Sequence, residues 1–484
     1  MRITAVADDP GGALPASMTG DPLRATREMM AHVTAMYGPV LRASTFIGSG
    51  SSAGGAYAGH SELADMDGLL QDLFGQPSME PGVNDTLFGG GKGFSFAGTS
   101  LSTVGEALER VVAGLVSTST HMPSERRLGS WSDLTTDGFA CLHPTQVTTF
   151  SEGQYATPHF LYERFAEDTV VQWIRGHRAI SGEEVWVPAQ LVDMVHIYDP
   201  GEAIIGYPVS GGLSCHISYR DAIYHGITEV VERDAVNVSW YTDAKPRIVD
   251  LDHVTRGCLG DFADRMELDH SACYLLEHSS DVCSAKTFSV VGLQDWLPRR
   301  KYCAGGGSDY SSIDAVHKAA AEYGQTRSTL ALANVAPGSS VGRSVRTMFD
   351  WEEGRPLKEM TLFFQAIGYY GLPDNVPHLE HYMSGERVAG EELFSGDEEA
   401  ARVEMPTAQK LDKLLAELQS SGIDPVILDY SHPDWQQLSV VKIYIPELTT
   451  PFLQSRPMLG HPRLHHVRDD IIRANGEVLP LPYP

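Results

Sequence analysis

A chain of 484 residues, 42% hydrophobic and 20% charged, can bury a sizeable core and has the make-up of a globular protein. Its formal net charge of −27 excludes a duplex nucleic acid or an anionic membrane as partner, because both demand a basic footprint. Any polyanion bound here must be met by locally gathered Lys, Arg or divalent metal. The six cysteines (Cys141, Cys215, Cys258, Cys273, Cys283, Cys303) form no Cys-x-x-Cys pair, which excludes the usual zinc ribbon or redox motif and supports no disulfide framework. Met1-Arg2-Ile3-Thr4 opens no signal peptide, and no run approaches the roughly 18 apolar residues of a membrane span. The expectation is a cytoplasmic protein with reduced thiols.

Residues 1–25, rich in Gly, Pro and Asp, predict a loose start, followed by a helix from about Arg24 to Tyr37. The small-residue stretch Ser49–Ser61 reads as a flexible loop. Gly89-Gly90-Gly91-Lys92-Gly93 is glycine-rich but lacks the frame of a Walker A loop, so alone it is a weak nucleotide motif. A helix is predicted over Thr103–Ser117 from the stripe Val104, Ala107, Leu108, Val111, Val112 and Leu115. Thr103 and Glu106 have the spacing of a capping box at its start. A second helix, Tyr219–Trp240, has Ala222, Ile223, Ile227, Val230 and Val231 in the same rhythm, with Ser218 and Asp221 in capping spacing.

A third helix over Ser312–Leu332 turns Ala315, Val316, Ala319 and Tyr323 inward. Short apolar runs at Val185–Val187, Ile204–Tyr207, Ser289–Val291, Val426–Leu428 and Val440–Ile445 read as strands. Helices alternating with such runs give an α/β (α+β) chain. The acidic stretch 385–404 reads as an exposed linker. After it come a helix over Thr407–Ser420, Gly422 and a strand.

Two stretches repeat the word Glu-x-x-Glu-Arg, at Glu106/Glu109/Arg110 and at Glu229/Glu232/Arg233. On a helix each would gather two carboxylates and a guanidinium on one face. Like charges that close need a compensating cation. Mg²⁺ is commonly held by carboxylates together with substrate phosphates, and Arg suits phosphate oxygens. The pair of words therefore reads as two halves of a metal–nucleotide site, against the plainer reading of two solvated helix faces.

Ser102-x3-Glu106-x2-Glu109-Arg110, preceded by Gly91-Lys92-Gly93, resembles the first signature of the YcaO family of ATP-utilising enzymes. The stretch from Ser210-Gly211-Gly212-Leu213-Ser214 through Asp221, His225, Glu229, Glu232 and Arg233 resembles its second. Gly305-Gly306-Gly307 followed by Ala315, Ala319, Glu322, Gln325 and Arg327 resembles its third. The resemblance covers roughly residues 85–335 and implies mixed sheets with helices packed around an ATP and Mg²⁺ site.

By that resemblance Glu106, Glu109, Glu229 and Glu232 would hold Mg²⁺, and Arg110, Arg233 and Arg327 would lie near phosphates. Ser102, Asp221, His225 and Gln325 would be polar partners of the nucleotide. Ser102 and Asp221 also read as helix caps, and His225 as a core histidine. The chain departs from the family pattern at Asp221 and His225, where Glu and Gln are frequent, and near Asp309, where a His is common. On this reading residues 1–80 form an N-terminal segment, 81–450 the catalytic domain and 451–484 a tail.

The last five residues, Pro480-Leu481-Pro482-Tyr483-Pro484, have φ fixed at alternate positions and form an extended, preorganised end. A terminal Pro-x-Pro-x-Pro marks the family's peptide cyclodehydratases, in which it runs to the catalytic centre. The α-carboxylate of Pro484 then becomes a candidate base or positioning group. The implied activity is ATP-dependent closure of Cys, or Ser/Thr, residues of a ribosomal precursor peptide to thiazolines or oxazolines.

No leader-recognition module is evident ahead of the first motif, so a ThiF-like leader-binding partner is implied. The resemblance also admits a homodimer and a later flavin-dependent azoline dehydrogenase. Related enzymes use the same site to make thioamides or macroamidines, and the proline tail speaks against both. A non-catalytic ATP-binding scaffold and a small-molecule phosphotransferase are the readings from other classes. His378, His381, His461, His465 and His466 match no recognised metal spacing.

Overall fold

The computed structural model describes residues 40–47, 56–63, 89–116, 125–250, 273–294, 297, 301–338, 340–360, 362–394, 396–431, 438–473 and 476–483. The helix expected from Arg24 to Tyr37 and the residue Pro484 lie outside the described residues. Strands β1 (Val40–Ile47), β2 (Tyr57–Leu63) and β3 (Lys92–Gly93) form a small antiparallel sheet. Next in the chain are β4 (Arg126–Gly129), β5 (Val171–Arg178), β6 (Glu184–Pro188) and β7 (Leu213–His216). Then come β8 (Arg247–Asp250), β9 (Cys273–His278), β10 (Lys286–Leu293) and β11 (Tyr302–Asp309). The last strands are β12 (Arg387–Ala389), β13 (Val426–Asp429) and β14 (Ser439–Tyr444).

One sheet runs β4-β5-β13-β14-β7, with β6 also paired to β5, and another runs β11-β10-β9-β8-β12. Their pairings are antiparallel except β8 with β12.

Six helices matter for the site: α1 (Phe96–Val116), α2 (Tyr219–Tyr241), α3 (Ser312–Val335), α4 (Ser340–Phe349), α5 (Phe363–Tyr370) and α6 (Thr407–Ser420). The apolar stripe of α1 is buried at Val104, Ala107, Leu108, Val111 and Val112, as its period requires. Helix α3 lies along β11, and α2 packs against β7 and β14. Ser218 caps α2, its side chain accepting from the Asp221 amide at 3.4 Å. The third helix and Thr407–Ser420 stand where their patterns place them.

Helix α1 begins at Phe96, seven residues before Thr103, so the expected capping box with Glu106 is absent. Thr103 instead donates to the Thr99 carbonyl at 2.7 Å, the back-bond a threonine inside a helix makes. Ser102 is likewise a mid-helix residue and not a cap.

The stretch Ser49–Ser61 is not all loop, since from Tyr57 onward it belongs to β2. Gly59 and Gly91 exchange backbone hydrogen bonds of 2.7 and 3.1 Å directly above α1. A Cβ on Gly91 would stand 2.5 Å from the Thr103 nitrogen and the Thr99 oxygen, so only glycine lets this ribbon rest on the helix.

Two other expectations fail. Ile204–Tyr207 is buried in part but forms no ladder. The Ile205 amide donates to the Gln190 side chain, and the preceding Ala203 amide donates to the Val170 carbonyl. The acidic stretch 385–404 is not a linker. It contains β12 and two short helices, with Leu393 and Phe394 in the core. Glu399 is buried there and accepts from Ser311 Oγ and the Ile313 amide, so one acid of the run anchors the start of α3. Charge density hid a half-buried amphipathic segment.

The chain beyond residue 450 packs into the main core through Phe452, Leu464, Ile471, Leu479 and Leu481. No helix among the described residues is long and apolar enough to cross a membrane.

Candidate active site

A cavity of about 830 Å³ lies where α1, α2 and α3 converge. Helix α1 presents Ser102, Glu106, Glu109 and Arg110 to it. Helix α2 presents His225, Glu229 and Arg233, which are four apart and so share one face. Helix α3 contributes Glu322, Gln325, Thr326, Thr329 and Leu332. Eight of the side chains read from the sequence therefore meet in one place.

The carboxylates crowd one another among few cations. Burial, then Glu106 and Glu229, push the Glu109 carboxyl up to about 8 even though Arg110 opposes them. Glu106 and Glu232 are also raised, chiefly by burial. Arg110 reaches Glu106 at 3.4 Å and Glu109 at 3.9 Å, and its Nη1 lies 3.7 Å from Met194 Sδ. Lys92 Nζ lies 3.2 Å from Glu322, which also accepts from the Gly306 amide at 2.9 Å. Burial opposes the ionised form of Glu322, but Lys92 and Arg233 outweigh it and hold that carboxyl below its usual value.

Behind this front Lys442 is buried, donating to the carbonyls of Val209 and Gly211 at 2.6 and 2.7 Å. Burial brings its ammonium down to about 7. The loop it holds aims the Gly212 amide at Glu229, 3.2 Å away. Burial also keeps His225 neutral, far below its ordinary value, with its ring stacked on His216 at 5.5 Å.

Glu232 does not itself line the cavity and accepts from the Tyr483 hydroxyl, which does, at 2.7 Å. The Arg233 guanidinium lies 4.6 Å from the centre of that ring. Tyr483 and Leu481 themselves line the cavity, so the proline-rich end enters it. Tyr302 donates to the Pro482 carbonyl at 2.7 Å and the Leu481 amide donates to Gln454, which fix the path of the tail.

Asp221 and Arg327 stand outside the cavity wall. Asp221 faces His216 at 3.5 Å, and Arg327 is buried near Cys303 and Tyr323. Lys92, Glu322 and Tyr483 stand within the quoted motifs, but the sequence alone assigned them no role at the site. Lys92 lay in a glycine run too short to interpret, and Tyr483 is 251 residues from its partner Glu232.

The donor set is hard oxygen with guanidinium and ammonium beside it, which fits Mg²⁺ and phosphate together. A divalent cation among Glu106, Glu109 and Glu229 would relieve the repulsion that raises Glu109. Among the described residues no three acidic, His or Cys groups already stand at metal-holding distance. The carboxylates would have to draw together around the ion.

A family model described as YcaO cyclodehydratase, ATP- and Mg²⁺-binding, matches residues 90–449. The chain belongs to the YcaO family. ATP and Mg²⁺ are accordingly its cofactors, and the fold agrees with solved YcaO structures. A heterocyclase in complex with substrate and cofactor is similar at 18% identity and a TM-score of 0.66, over 95% of this chain and 57% of that one. YcaO from Methanopyrus kandleri bound with AMPPCP and Mg²⁺ matches at 15% identity and a TM-score of 0.57, over 90% and 96% of the two chains.

The E. coli microcin synthetase McbBCD complex with pro-MccB17 bound gives 13% identity and a TM-score of 0.57, over 94% and 99%. At these identities the likeness is one of fold. The YcaO chain spans little more than half the length of that first heterocyclase. No curated protein matches it.

Proposed function

We propose that this YcaO protein is a cyclodehydratase that closes azoline rings in a ribosomal precursor peptide at the expense of ATP. The observation that carries the reading is the entry of the Pro-x-Pro-x-Pro tail, through Leu481 and Tyr483, into the cavity lined by the glutamate helices. By the family resemblance, such a tail speaks against a thioamide- or amidine-forming enzyme.

The substrate supplies its own nucleophile, a Cys thiol or a Ser/Thr hydroxyl, which attacks the carbonyl carbon of the preceding residue. The amide oxygen is a poor leaving group, and bound ATP supplies the phosphoryl group with which that oxygen departs as phosphate, leaving ADP and the ring C=N. Lys92, Arg110 and Arg233 would hold phosphate oxygens, and Glu106, Glu109 and Glu229 would hold Mg²⁺, with Glu232, off the cavity wall and bonded to Tyr483, joining them only by turning toward the ion. Ser102 and Gln325, on facing helices, would meet the nucleoside, and neutral His225 would offer it a hydrogen bond. The apolar remainder of the wall would keep water from the activated oxygen. A precursor peptide and a ThiF-like leader-binding partner complete the reading.

The test is to incubate the purified chain with ATP, Mg²⁺, a Cys-rich precursor and the ThiF-like partner, and to weigh the peptide by mass spectrometry. Loss of one water per ring is expected, and it should vanish with Glu109→Ala and with deletion of Pro480–Pro484. An unchanged peptide would overturn the proposal. Sulfide-dependent exchange of oxygen for sulfur would replace it with thioamide synthesis.

A further inference from the structure

The cavity has two ends of opposite character, and helix α3 spans them. Its lining face begins at Glu322, passes Gln325, Thr326 and Thr329, and ends at Leu332, about 15 Å further along the axis. Leu362, Phe363 and Phe364 at the start of α5 also line the cavity and are tied to α3 through α4, which packs on both helices, and Leu453 lines the wall as well. All five of these large apolar side chains are only half-buried, and all line the cavity. Phe364 packs on Phe349 of α4, which also lines the cavity, with ring centres 5.0 Å apart, so the wall is a packed surface and not a loose loop. Half-buried aromatic surface of this extent marks a binding wall.

We infer that this apolar end recognises a bulky apolar or aromatic side chain of the substrate peptide, within about four residues of the one being cyclised. The inference rests on the cyclodehydratase reading and names which peptides the site prefers. The reach follows from the two ends. Lys92, which would hold phosphate, lies against Glu322, so the reacting amide would be held near that end, and an extended peptide covers about 15 Å in four to five residues.

The competing occupant is the adenine of ATP. A purine edge carries ring nitrogens and an amine that need partners once buried, and these five side chains offer none. Gln325, Ser102 and His225 do offer them at other parts of the wall. A peptide side chain of Phe or Leu type needs nothing but apolar contact.

The probe is a set of short acetylated peptides with one central Cys in a Gly/Ser background, through which a single Phe is walked. Their affinity for the chain saturated with Mg²⁺ and AMPPNP is measured by calorimetry. At one or more positions Phe should tighten binding by about tenfold or more over the Gly/Ser parent, as filling an apolar pocket does. Phe363→Ser and Leu332→Ser, both at half-buried positions, should each erase that gain, and Phe363→Leu should retain part of it.

A flat series overturns the inference, as does a gain that survives both variants. A weakened affinity for AMPPNP with the Phe gain intact would assign the wall to adenine and overturn it equally. A flat series from a chain that still removes water from its precursor rejects this subsite alone. A chain that closes no ring rejects the ring-forming reading itself.

Discussion

The hydroxyl of Tyr483 donates to Glu232 Oε1 at 2.7 Å while its ring lies under the Arg233 guanidinium. One aromatic residue of the tail thus touches two of the three charged members of the second Glu-x-x-Glu-Arg word. Burial, then Glu232 and Glu322, hold the phenol neutral, so it remains a donor at any physiological pH.

If that bond positions Glu232, then Tyr483→Phe should slow ring closure by about ten- to hundredfold, the worth of a hydrogen bond to a charged acceptor. Melting temperature should change little, because the ring stays in place. Rates followed by mass spectrometry and circular dichroism melts separate the two. An unaltered rate would reduce the tyrosine to a mere anchor.

Gly306 bears on the same contact. A Cβ there would overlap the Tyr483 hydroxyl, and Gly306 also donates its amide to Glu322 at 2.9 Å. Gly306→Ala should therefore expel the end of the tail and reproduce the activity of the Pro480–Pro484 deletion. Limited carboxypeptidase digestion reads the expulsion directly, as faster trimming than in the parent chain.

The glutamate words were legible because helical spacing alone puts their carboxylates together. What spacing could not show was the third helix answering with Glu322, or Lys92 arriving from a two-residue strand. Both depend on how α3 and β3 are set against α1. Arg327 shows the converse. It fits the motif and yet faces the core near Cys303, since a residue two positions after Gln325 lies on the opposite side of the helix. Ile204–Tyr207 has a strand's composition, but its backbone is satisfied by Gln190 and isolated bonds. The acidic 385–404 run misled because its net charge outweighed the few apolar residues and the single buried Glu399 that fix it.

Crowding of the carboxylates bears on metal binding. Glu109→Gln removes the group that burial and its neighbours hold up to about 8. Affinity for Mg²⁺ with AMPPNP should fall by about tenfold or more, in the range for disturbed metal sites. Without ligands the variant should melt no lower than the parent near pH 7, because a carboxyl held up to about 8 is already mostly neutral there and the amide keeps its shape. Calorimetry and thermal melts, run with and without Mg²⁺, check both halves. A large loss of unliganded stability would show that Glu109 is a structural partner of Arg110 first.

Asp309 accepts from Lys410 of α6 at 2.6 Å and from Lys318 of α3 at 2.8 Å. Burial opposes its charge, but the two lysines outweigh burial and hold the carboxyl at about 2. In the unfolded chain an aspartate titrates near 3.9. The folded value is the lower one, so the stabilisation is complete above about pH 4 and is lost as pH falls through about 2. A depression of nearly two units corresponds to about 2 kcal/mol.

Asp309→Asn would also leave Lys410 buried beside a neutral group. A cost of about 3–5 kcal/mol at pH 7 is expected for breaking such a pair. Lys410 retains Asp314 at 3.2 Å, which favours the lower figure. Urea denaturation at pH 7 and at progressively lower pH measures the gap between parent and variant. It should be widest at neutral pH and narrow steadily below pH 4, and a gap independent of pH would refute the ion-pair account.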